Sequence, residues 1–280
     1  MGLFLPLIAS ILQAASFSLD KLILSIKKAT HKQYLVISFP LITIFTFVMF
    51  LIVKPSLSWE MILGNNFLLI ILAIIITIAS NLIFYNALKK DYLSEIQTIE
   101  LFKNFPLIIF AAILFPDERN VLNIALAIIA AGSIAWSHFE NKGFKISQPT
   151  IILLLWNLVA SPFRGIISKT LLETMNPIVM QLIIDASVSI ILLIFLAKEV
   201  KKTPKKALPY LIITNILTSI AWVLYFYSYQ VSGIIYTVLV FSLQPILVYL
   251  VSLIFFKEKF EIKKFVSFMI ILASIIVAQL

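Results

Sequence analysis

Long apolar runs follow one another along the whole chain and are interrupted only by short charged or polar stretches. Their lengths are close to the about 20 residues that an α-helix needs to cross a bilayer. Membrane barrel strands are shorter and alternate in polarity, whereas a run such as 67–78 shows no alternation. The mean hydropathy is +1.07 and only 12% of residues are charged, against about 25% in soluble domains. The sequence therefore predicts an all-α integral membrane protein.

These runs predict ten transmembrane helices. The predicted spans are 3–26, 33–53, 64–88, 92–115, 121–139, 149–171, 177–197, 207–229, 233–256 and 262–279. The first run has no basic segment before it and no clear cleavage site after it, so we interpret it as a retained helix and not a signal peptide. The loops are too short for an extramembrane domain. The chain has no Cys, which excludes disulfides, thiolate metal sites and Cys nucleophiles.

The formal net charge of +9 is carried mainly by Lys residues in the predicted loops. In a membrane protein this pattern is typical of topology and lipid headgroups, and it does not indicate nucleic-acid binding. Alternate loops carry sixteen Lys, whereas the loops on the opposite side carry only Lys54 and Arg119. By the positive-inside rule the Lys-rich side is cytoplasmic, which places both termini outside. The sixteen are Lys27, Lys28, Lys32, Lys89, Lys90, Lys142, Lys145, Lys198, Lys201, Lys202, Lys205, Lys206, Lys257, Lys259, Lys263 and Lys264.

Two segments, one in each half of the chain, share a pattern. Each has a Pro early in a helix, an apolar stretch, an acidic–basic turn and a closing apolar helix. Pro106 corresponds to Pro245, and Glu118 corresponds to Glu258, at separations of 139 and 140 residues. The pattern predicts two five-helix repeats, 1–142 and 147–280. Because five is an odd number, the second repeat would insert upside down, as in many secondary transporters.

Five-span halves with a Pro opening the fourth helix and an acidic turn before the fifth resemble the EamA-type drug/metabolite transporter superfamily. The segment from Pro245 through Glu258 to Phe260 is similar to the family pattern. That pattern is a Pro, an apolar stretch, a Glu-containing turn and an apolar helix rich in small residues. The segment from Pro106 through Glu118 is a looser match. The resemblance implies a secondary transporter built from two EamA-like repeats.

The chain departs from this family pattern in two respects. The glycine that often lies in the fifth helix of each half is present once, as Gly132, and Ala273 and Ser274 occupy the corresponding region of the second half. The resemblance also implies a cytoplasmic amino terminus, whereas the distribution of Lys favours an external one. The orientation is therefore open at this point, with the charge distribution favouring external termini.

Polar residues recur at helical spacing within several predicted spans. In span six, Asn157 and Arg164 lie on one face together with Pro162, which is expected to kink the helix. In span seven, Gln181 and Asp185 are four residues apart. Ionisable groups within a membrane are costly and are functional candidates by default. Arg164 and Asp185 are therefore the strongest candidates for a functional role.

The predicted solute site combines the polar faces of six spans with nearby aromatic residues. Its members are Arg164, Asp185, Gln181, Asn157, Ser161, Asn81, Tyr85, Glu100, Asn104, Asn215, Trp222, Phe226 and Gln244. Three prolines are predicted helix hinges: Pro106, Pro162 and Pro245. Three carboxyl groups are candidates for carrying a coupling proton: Asp185, Glu100 and Asp20.

Each of these groups also has a structural interpretation. Polar side chains in membrane helices often only hydrogen-bond to neighbouring helices. Asp20 and Lys21 lie near a predicted helix end, where they could reach the headgroups. Glu100 and Lys103 are three residues apart and could pair within one helix. Three tyrosines near the end of span eight are typical of an interfacial aromatic belt. They are Tyr225, Tyr227 and Tyr229.

Among possible functions, the pattern favours a secondary transporter, expected to be an exporter, of a small polar metabolite such as an amino acid. Two inverted halves would provide alternating access to a central site. Arg164 would hold a carboxylate through paired hydrogen bonds. Trp222 and Phe226 would pack against an apolar or cationic group. The partners expected are a small solute and the bilayer, with a coupling proton as one option, and the protein is expected in the cell membrane as a multi-pass protein.

Two alternatives are an intramembrane enzyme and a non-transporting scaffold or receptor. The chain has no HExxH, GxSxG or P-loop motif, so we expect neither an enzyme nor an ATP-driven pump. A scaffold would not need charged groups on several spans. We expect no cofactor, no metal and no nucleic-acid partner. Monomer and homodimer are both open.

Overall fold

The computed structural model describes residues 3–27, 29–64, 66–137, 147–255 and 260–278. Within these ranges the chain is helical and has no β-strand, which confirms the predicted all-α class. The helices are α1 Phe4–Ser25, α2 His31–Val53, α3 Trp59–Leu63, α4 Asn66–Lys90, α5 Leu93–Leu101, α6 Asn104–Leu114, α7 Val121–Ser137, α8 Gln148–Val159, α9 Ser161–Leu172, α10 Pro177–Val200, α11 Leu208–Ser232, α12 Ile234–Phe241, α13 Gln244–Phe255 and α14 Ile262–Val277.

Seven helical segments in the described part of the chain are long and apolar enough to cross a membrane. They are α1, α2, α4, α10, α11 and the combined segments α5–α6 and α12–α13. The pair α8–α9, bent by 42°, is an eighth if it is counted as one span. The described parts of α7 and α14, with 17 and 16 residues, are shorter than the about 20 residues of a full crossing. Helices thus lie at all ten predicted places, but seven or eight crossings are supported and ten are not confirmed. The predicted end of span five and the predicted turn at Glu258 lie outside the described residues.

Three of the helix breaks follow from proline chemistry. A proline has no N–H to donate, and its ring clashes with the carbonyl four residues earlier. The helices α5, α12 and α8 each end within five residues before a proline, namely Pro106, Pro245 and Pro162. Pro40 lies inside α2, yet that helix is continuous. The three predicted hinge positions therefore lie directly after helix breaks, while any hinge motion stays a prediction.

The two halves of the chain pack into each other. At the centre, α1 from the first half packs along α11 from the second half. Elsewhere α2 packs on α10, α7 packs on α14, and α4 packs on both α8 and α9. The main helix pairs thus join residues that are far apart in sequence, so the interior is formed by both halves together.

The distribution of polarity is that of a membrane protein. Large apolar side chains are exposed on the outer faces of the helices, such as Ile44 and Phe47 on α2 and Ile194 on α10. Polar side chains such as Ser16 and Asn215 are buried completely. An exposed apolar surface of this extent marks contact with lipid or with a partner. The buried polar groups lie where neighbouring helices can satisfy them.

A hydrogen-bonded contact joins the two halves at the Lys-rich end. The carboxylate of Asp91 accepts hydrogen bonds from the Ser147 backbone N–H (3.0 Å), from the Ser147 hydroxyl (2.7 Å) and from the Thr150 hydroxyl. Burial acts to raise the pKa of Asp91, but the hydrogen bonds from Thr150 and Ser147 together lower it below its usual value. The ionised carboxylate therefore stabilises the start of α8, where a negative group is favoured.

Candidate functional site

A cavity of about 190 Å³ lies at the centre of the bundle. Its walls come from α1, α2, α4, α5, α6, α8, α9, α10 and α11, and also from Lys103 between α5 and α6. Among the described residues, none from α7, α12, α13 or α14 lines it. Both halves of the chain therefore build the cavity, while the pair α7–α14 supports the bundle away from it.

Most of the predicted solute-site residues line this cavity. The ten that do are Asn81, Tyr85, Glu100, Asn157, Ser161, Arg164, Gln181, Asp185, Trp222 and Phe226. Pro162 and Gly165 also lie in its wall. The ten residues come from five predicted spans, of which four contribute polar side chains and one contributes the aromatic pair Trp222 and Phe226. Whether these residues bind a solute remains a prediction.

Three of the predicted residues do not line this cavity, and two of them join neighbouring helices. Asn215 donates hydrogen bonds to the Ser38 hydroxyl at 3.2 Å and to a carbonyl of its own helix. Gln244 donates to the side-chain oxygen of Gln97 at 2.8 Å and so joins α13 to α5. Asn104 is buried at the start of α6. These three side chains are not placed to contact a solute in this cavity. The prediction failed for them because helical spacing shows which residues share a helix face, but not which neighbouring helix or cavity that face contacts.

Arg164 is the cation in the cavity wall whose position is fixed by three elements. Its Nε donates to the Thr77 hydroxyl on α4 at 3.0 Å, and one terminal nitrogen donates to the Ser168 hydroxyl on its own helix. The guanidinium carbon lies 5.6 Å from the centre of the Phe226 ring, within the range of a cation–π contact. Arginine has five N–H donors, so the remaining three are available for an anion.

Asp185 on α10 is an acidic residue in the same cavity wall as Arg164. It is 3% exposed and accepts a hydrogen bond from the Gln181 amide at 2.7 Å. Among the described residues no salt bridge joins Asp185 to Arg164. A buried acid and a partly buried base thus line one cavity without a salt bridge between them. Such an arrangement is costly unless a ligand or water completes it.

Within the described part of the chain, two amide oxygens of cavity-lining glutamines have no hydrogen-bond partner. They are the Oε1 atoms of Gln13 and Gln181, both on buried side chains. Buried polar atoms are nearly always paired, so unpaired ones at a cavity mark sites where a bound group can donate a hydrogen bond. Because both atoms have almost no accessible surface, a solute group can donate to them only after a rotation of the glutamine side chains.

Glu100 is engaged in a structural cluster at the break between α5 and α6. Lys103 donates to its Oε2 at 2.6 Å, and Asn157 donates to its Oε1 at 2.9 Å. Asn157 also donates to the Ile99 carbonyl at 3.1 Å. The pairing of Glu100 with Lys103 is the structural interpretation raised from their spacing. This cluster holds the helix break against α8.

Aromatic side chains of α11 form the part of the cavity wall next to Arg164. The rings of Trp222 and Phe226 are stacked with centroids 5.7 Å apart. Tyr225 and Tyr229 share a hydrogen bond of 2.8 Å between their hydroxyls and are both buried. These two tyrosines are therefore part of the interior and not of an interfacial belt. Tyr227 instead hydrogen-bonds with Asn176, which precedes α10.

Residues 148–279, at 132 of the 280 positions, match the EamA-like transporter family. This segment of the chain belongs to the EamA-like transporter family. The match confirms the resemblance seen in the Pro245–Phe260 segment. It gives the protein the general function of a membrane transporter of the drug/metabolite transporter type. The EamA family is a transporter family, which is consistent with the expectation that the chain is not an enzyme.

A known structure shares the fold of this chain over almost its full length. A crystal structure of a protein aligns with 99% of the chain and 96% of its own length, with a TM-score of 0.71 and 13% sequence identity. At this identity the similarity concerns the fold alone. Comparison with curated proteins gives no significant match.

The acidic turn in the first half of the chain has a structural role that sequence alone does not reveal. Glu118 is buried, and its carboxylate accepts hydrogen bonds from the backbone N–H groups of Ile234 (2.5 Å) and Ile235 (3.0 Å) at the start of α12. Lys169 lies 3.3 Å from the same carboxylate and 3.0 Å from that of Asp117. The hydrogen bond from Lys169 lowers the pKa of Asp117. Glu118 therefore connects the two halves at the end of the bundle opposite the Lys-rich loops.

The cavity wall includes residues that the predicted site omitted, and two polar ones lie in span two. Tyr34 and Ser38 lie on α2 and line the cavity. They are four residues apart within an otherwise apolar run, so the same helical-spacing argument applied to span two would have found them. Asp20, proposed for coupling, is completely buried and lies behind the lining, where Tyr34 and Tyr85 donate hydrogen bonds to it.

Proposed function

We propose that this EamA-type protein is a secondary exporter of a small zwitterionic metabolite, such as an amino acid. The observation that carries the proposal is the pair of oppositely charged side-chain types, Arg164 and Asp185, which line one central cavity with no salt bridge between them among the described residues. A solute with a carboxylate and an ammonium group would neutralise both. Export is the direction that the family resemblance favours.

The positions of the side chains support a carboxylate clamp at Arg164. Thr77, Ser168 and Phe226 fix the guanidinium from three sides. A guanidinium held in this way loses little freedom when it binds a carboxylate through two parallel hydrogen bonds. The cavity of about 190 Å³ is small compared with typical drug-sized pockets, so it favours a small solute.

The opposite end of a zwitterion would meet acceptors. Asp185 carries a negative charge when ionised, and the Oε1 atoms of Gln181 and Gln13 lack partners. An ammonium group has three donors, which matches this set of oxygen acceptors. The stacked rings of Trp222 and Phe226 would pack against an apolar side chain of the solute.

The arrangement of helices supports alternating access by two inverted repeats. The helix breaks that precede Pro106 and Pro245 lie at corresponding places in the halves 1–142 and 147–280. The packing is also paired, since α1 packs on α11 as α4 packs on α8 and α9. In inverted-repeat transporters, motion of one half against the other exposes the central site to each side in turn.

Binding of an L-amino-acid panel to the purified protein, with Arg164→Gln and Asp185→Asn beside the wild type, tests this function. Loss of a charge-assisted pair costs about 2–3 kcal/mol, so we expect Arg164→Gln to weaken binding about 30-fold or more. Thermal stabilisation and isothermal titration report the affinity. Arg119→Gln is the matched control, because Arg119 is exposed and bonds only to the Ala112 and Ile113 carbonyls. Equal affinity of Arg164→Gln and wild type for every bound solute would contradict the clamp.

The orientation in the membrane can be tested with single cysteines in this Cys-free chain. The positive-inside rule predicts that Thr203→Cys, next to the Lys-rich loop between α10 and α11, reacts with an impermeant thiol reagent only from the cytoplasmic side. Ser56→Cys, in the exposed loop after α2, is the matched control and should react only from outside. The reverse pattern would show that the termini are cytoplasmic, as the family resemblance implies.

A further inference from the structure

Asp20 is a completely buried carboxylate in the last two turns of α1. The Tyr34 hydroxyl donates to its Oδ1 at 2.6 Å, the Thr214 hydroxyl donates to the same oxygen at 2.6 Å, and the Tyr85 hydroxyl donates to Oδ2 at 3.0 Å. The centroids of the Tyr34 and Tyr85 rings lie 4.3 Å apart, so the two rings pack against each other next to the carboxylate. This is a built site and not a side chain reaching to the headgroups.

The groups around Asp20 are neutral. Among the described residues, the titratable groups that face it are Tyr34 from α2 and Tyr85 from α4, while α11 contributes the uncharged Thr214. Lys21, the next residue on α1, donates to the backbone carbonyls of Leu88 and Asp91. The helices α12 and α13 also pack on α1 but give Asp20 no ion pair or hydrogen bond among the described residues.

Hydroxyl groups can form hydrogen bonds with both the ionised and the protonated form of this carboxyl group. All three partners donate to an ionised carboxylate, and any of them can rotate to accept the proton of a neutral carboxylic acid. A salt bridge would instead favour the ionised form strongly. In an all-hydroxyl environment Asp20 can therefore gain and lose a proton, and its carboxyl group has hydrogen-bond partners in both states.

Two hydroxyl routes connect Asp20 to the central cavity. Tyr34 and Tyr85 contact the carboxylate and also line the cavity. Thr214 shares a 2.8 Å hydrogen bond with Ser16, which shares a 2.6 Å hydrogen bond with Thr218, and Thr218 lines the cavity as well. A proton can thus reach Asp20 from the solute site through groups that both donate and accept.

The site is shared by the two halves of the chain. Asp20, Tyr34 and Tyr85 belong to the first half, whereas Thr214 belongs to the second. A movement of α11 relative to α1 would break the Thr214 contact and change how well the ionised form is stabilised. Protonation of Asp20 and the relative position of the halves are therefore linked thermodynamically.

We propose that Asp20 is the proton-binding group of this transporter, and that one proton bound there moves inward for each solute that leaves. This inference rests on the proposed transport function. The Asp20 carboxylate takes up a proton through the tyrosine or threonine hydroxyls, becomes neutral and releases the same proton to the other side after the halves move. No bond to the solute forms or breaks. Tyr34, Tyr85 and Thr214 act as positioning residues.

The first test measures the proton directly and needs no solute. Infrared difference spectra of the lipid-reconstituted protein between alkaline and acidic buffers should contain the carbonyl stretch of a buried carboxylic acid. Asp20→Asn should remove this band, whereas Asp185→Asn should retain it. Tyr34→Phe leaves the carboxyl group but removes one donor to its ionised form, so its titration midpoint should move to higher pH. A band that persists in Asp20→Asn would overturn the proposal.

The second test separates coupling from transport, with L-phenylalanine as the probe in proteoliposomes. Wild type is expected to exchange labelled for unlabelled phenylalanine and also to drive its movement with a pH gradient. Asp20→Asn should keep the exchange and lose the gradient-driven movement to the level of protein-free vesicles. If Asp20→Asn retains gradient-driven movement, Asp20 is not the coupling group. If wild type performs no exchange, the proposed solute class fails, while the infrared titration still decides whether Asp20 binds a proton.

Discussion

Replacement of Glu118 by glutamine is expected to destabilise the folded protein by about 3 kcal/mol or more. The carboxylate of Glu118 accepts two backbone hydrogen bonds at the start of α12 and lies 3.3 Å from Lys169. Glutamine keeps one acceptor but turns an NH₂ group toward an N–H donor or toward the Lys169 ammonium. It also removes the negative charge that is favoured at a helix amino terminus. The midpoint of thermal unfolding in detergent measures the loss.

Asp117→Asn is the matched control for this substitution. Asp117 precedes Glu118 and also pairs with Lys169, but its side chain is 63% exposed. Exposed pairs contribute about 0–1 kcal/mol, so only a small change is expected. If both substitutions lowered the unfolding midpoint equally, the contacts of Glu118 with α12 would not be the source of its stabilisation.

Replacement of Gly233 by alanine is expected to cost about 2–5 kcal/mol. Gly233 has φ +81° and ψ 171°, a backbone conformation that is essentially restricted to glycine. A Cβ atom there would also lie 2.7 and 2.8 Å from the two carboxylate oxygens of Glu118. Relief of that clash would move the carboxylate away from the two N–H groups that it caps. Thermal unfolding again measures the effect.

Gly132 provides the comparison for Gly233. It lies within α7, and a Cβ atom there would meet nothing within 4 Å. Gly132→Ala is therefore expected to be neutral or to stabilise the protein by up to about 1 kcal/mol through helix propensity. In a double-mutant cycle, Glu118→Ala should lessen the cost of Gly233→Ala because the steric conflict is removed. Strictly additive costs would show that backbone strain alone accounts for the Gly233 effect.

The helical architecture was predictable because a helix that crosses a bilayer requires a long run of apolar residues, which is visible in the sequence. Every predicted span contains at least one helix, and the breaks before Pro106, Pro162 and Pro245 follow from the missing N–H of proline. Pro40 shows the limit of this rule, since α2 continues through it. The number of crossings was less predictable, because α7 and α14 are apolar but short.

Part of the site was predictable, because polar residues at helical spacing lie on the same face of a helix. Arg164, Asp185 and Asn157 were placed in the cavity by that argument. It failed for Asn215 and Gln244, whose faces meet other helices and not the cavity. The cap that Glu118 forms on α12 could not be predicted either, since its partners are about 116 residues away in sequence and are backbone groups.

The pairing of α1 with α11 has a consequence for how the protein is made. At about 5–20 residues per second, roughly 10–40 s separate the synthesis of Asp20 from that of Thr214, which lies 194 residues later. Tyr34 and Tyr85 follow Asp20 by only 14 and 65 residues, so they are the first partners to leave the ribosome. The nascent first helix therefore carries an acidic group into the translocon long before its main packing surface exists. Tyr34→Phe is therefore expected to reduce the yield of correctly inserted protein as well as to change the proton affinity of the folded transporter.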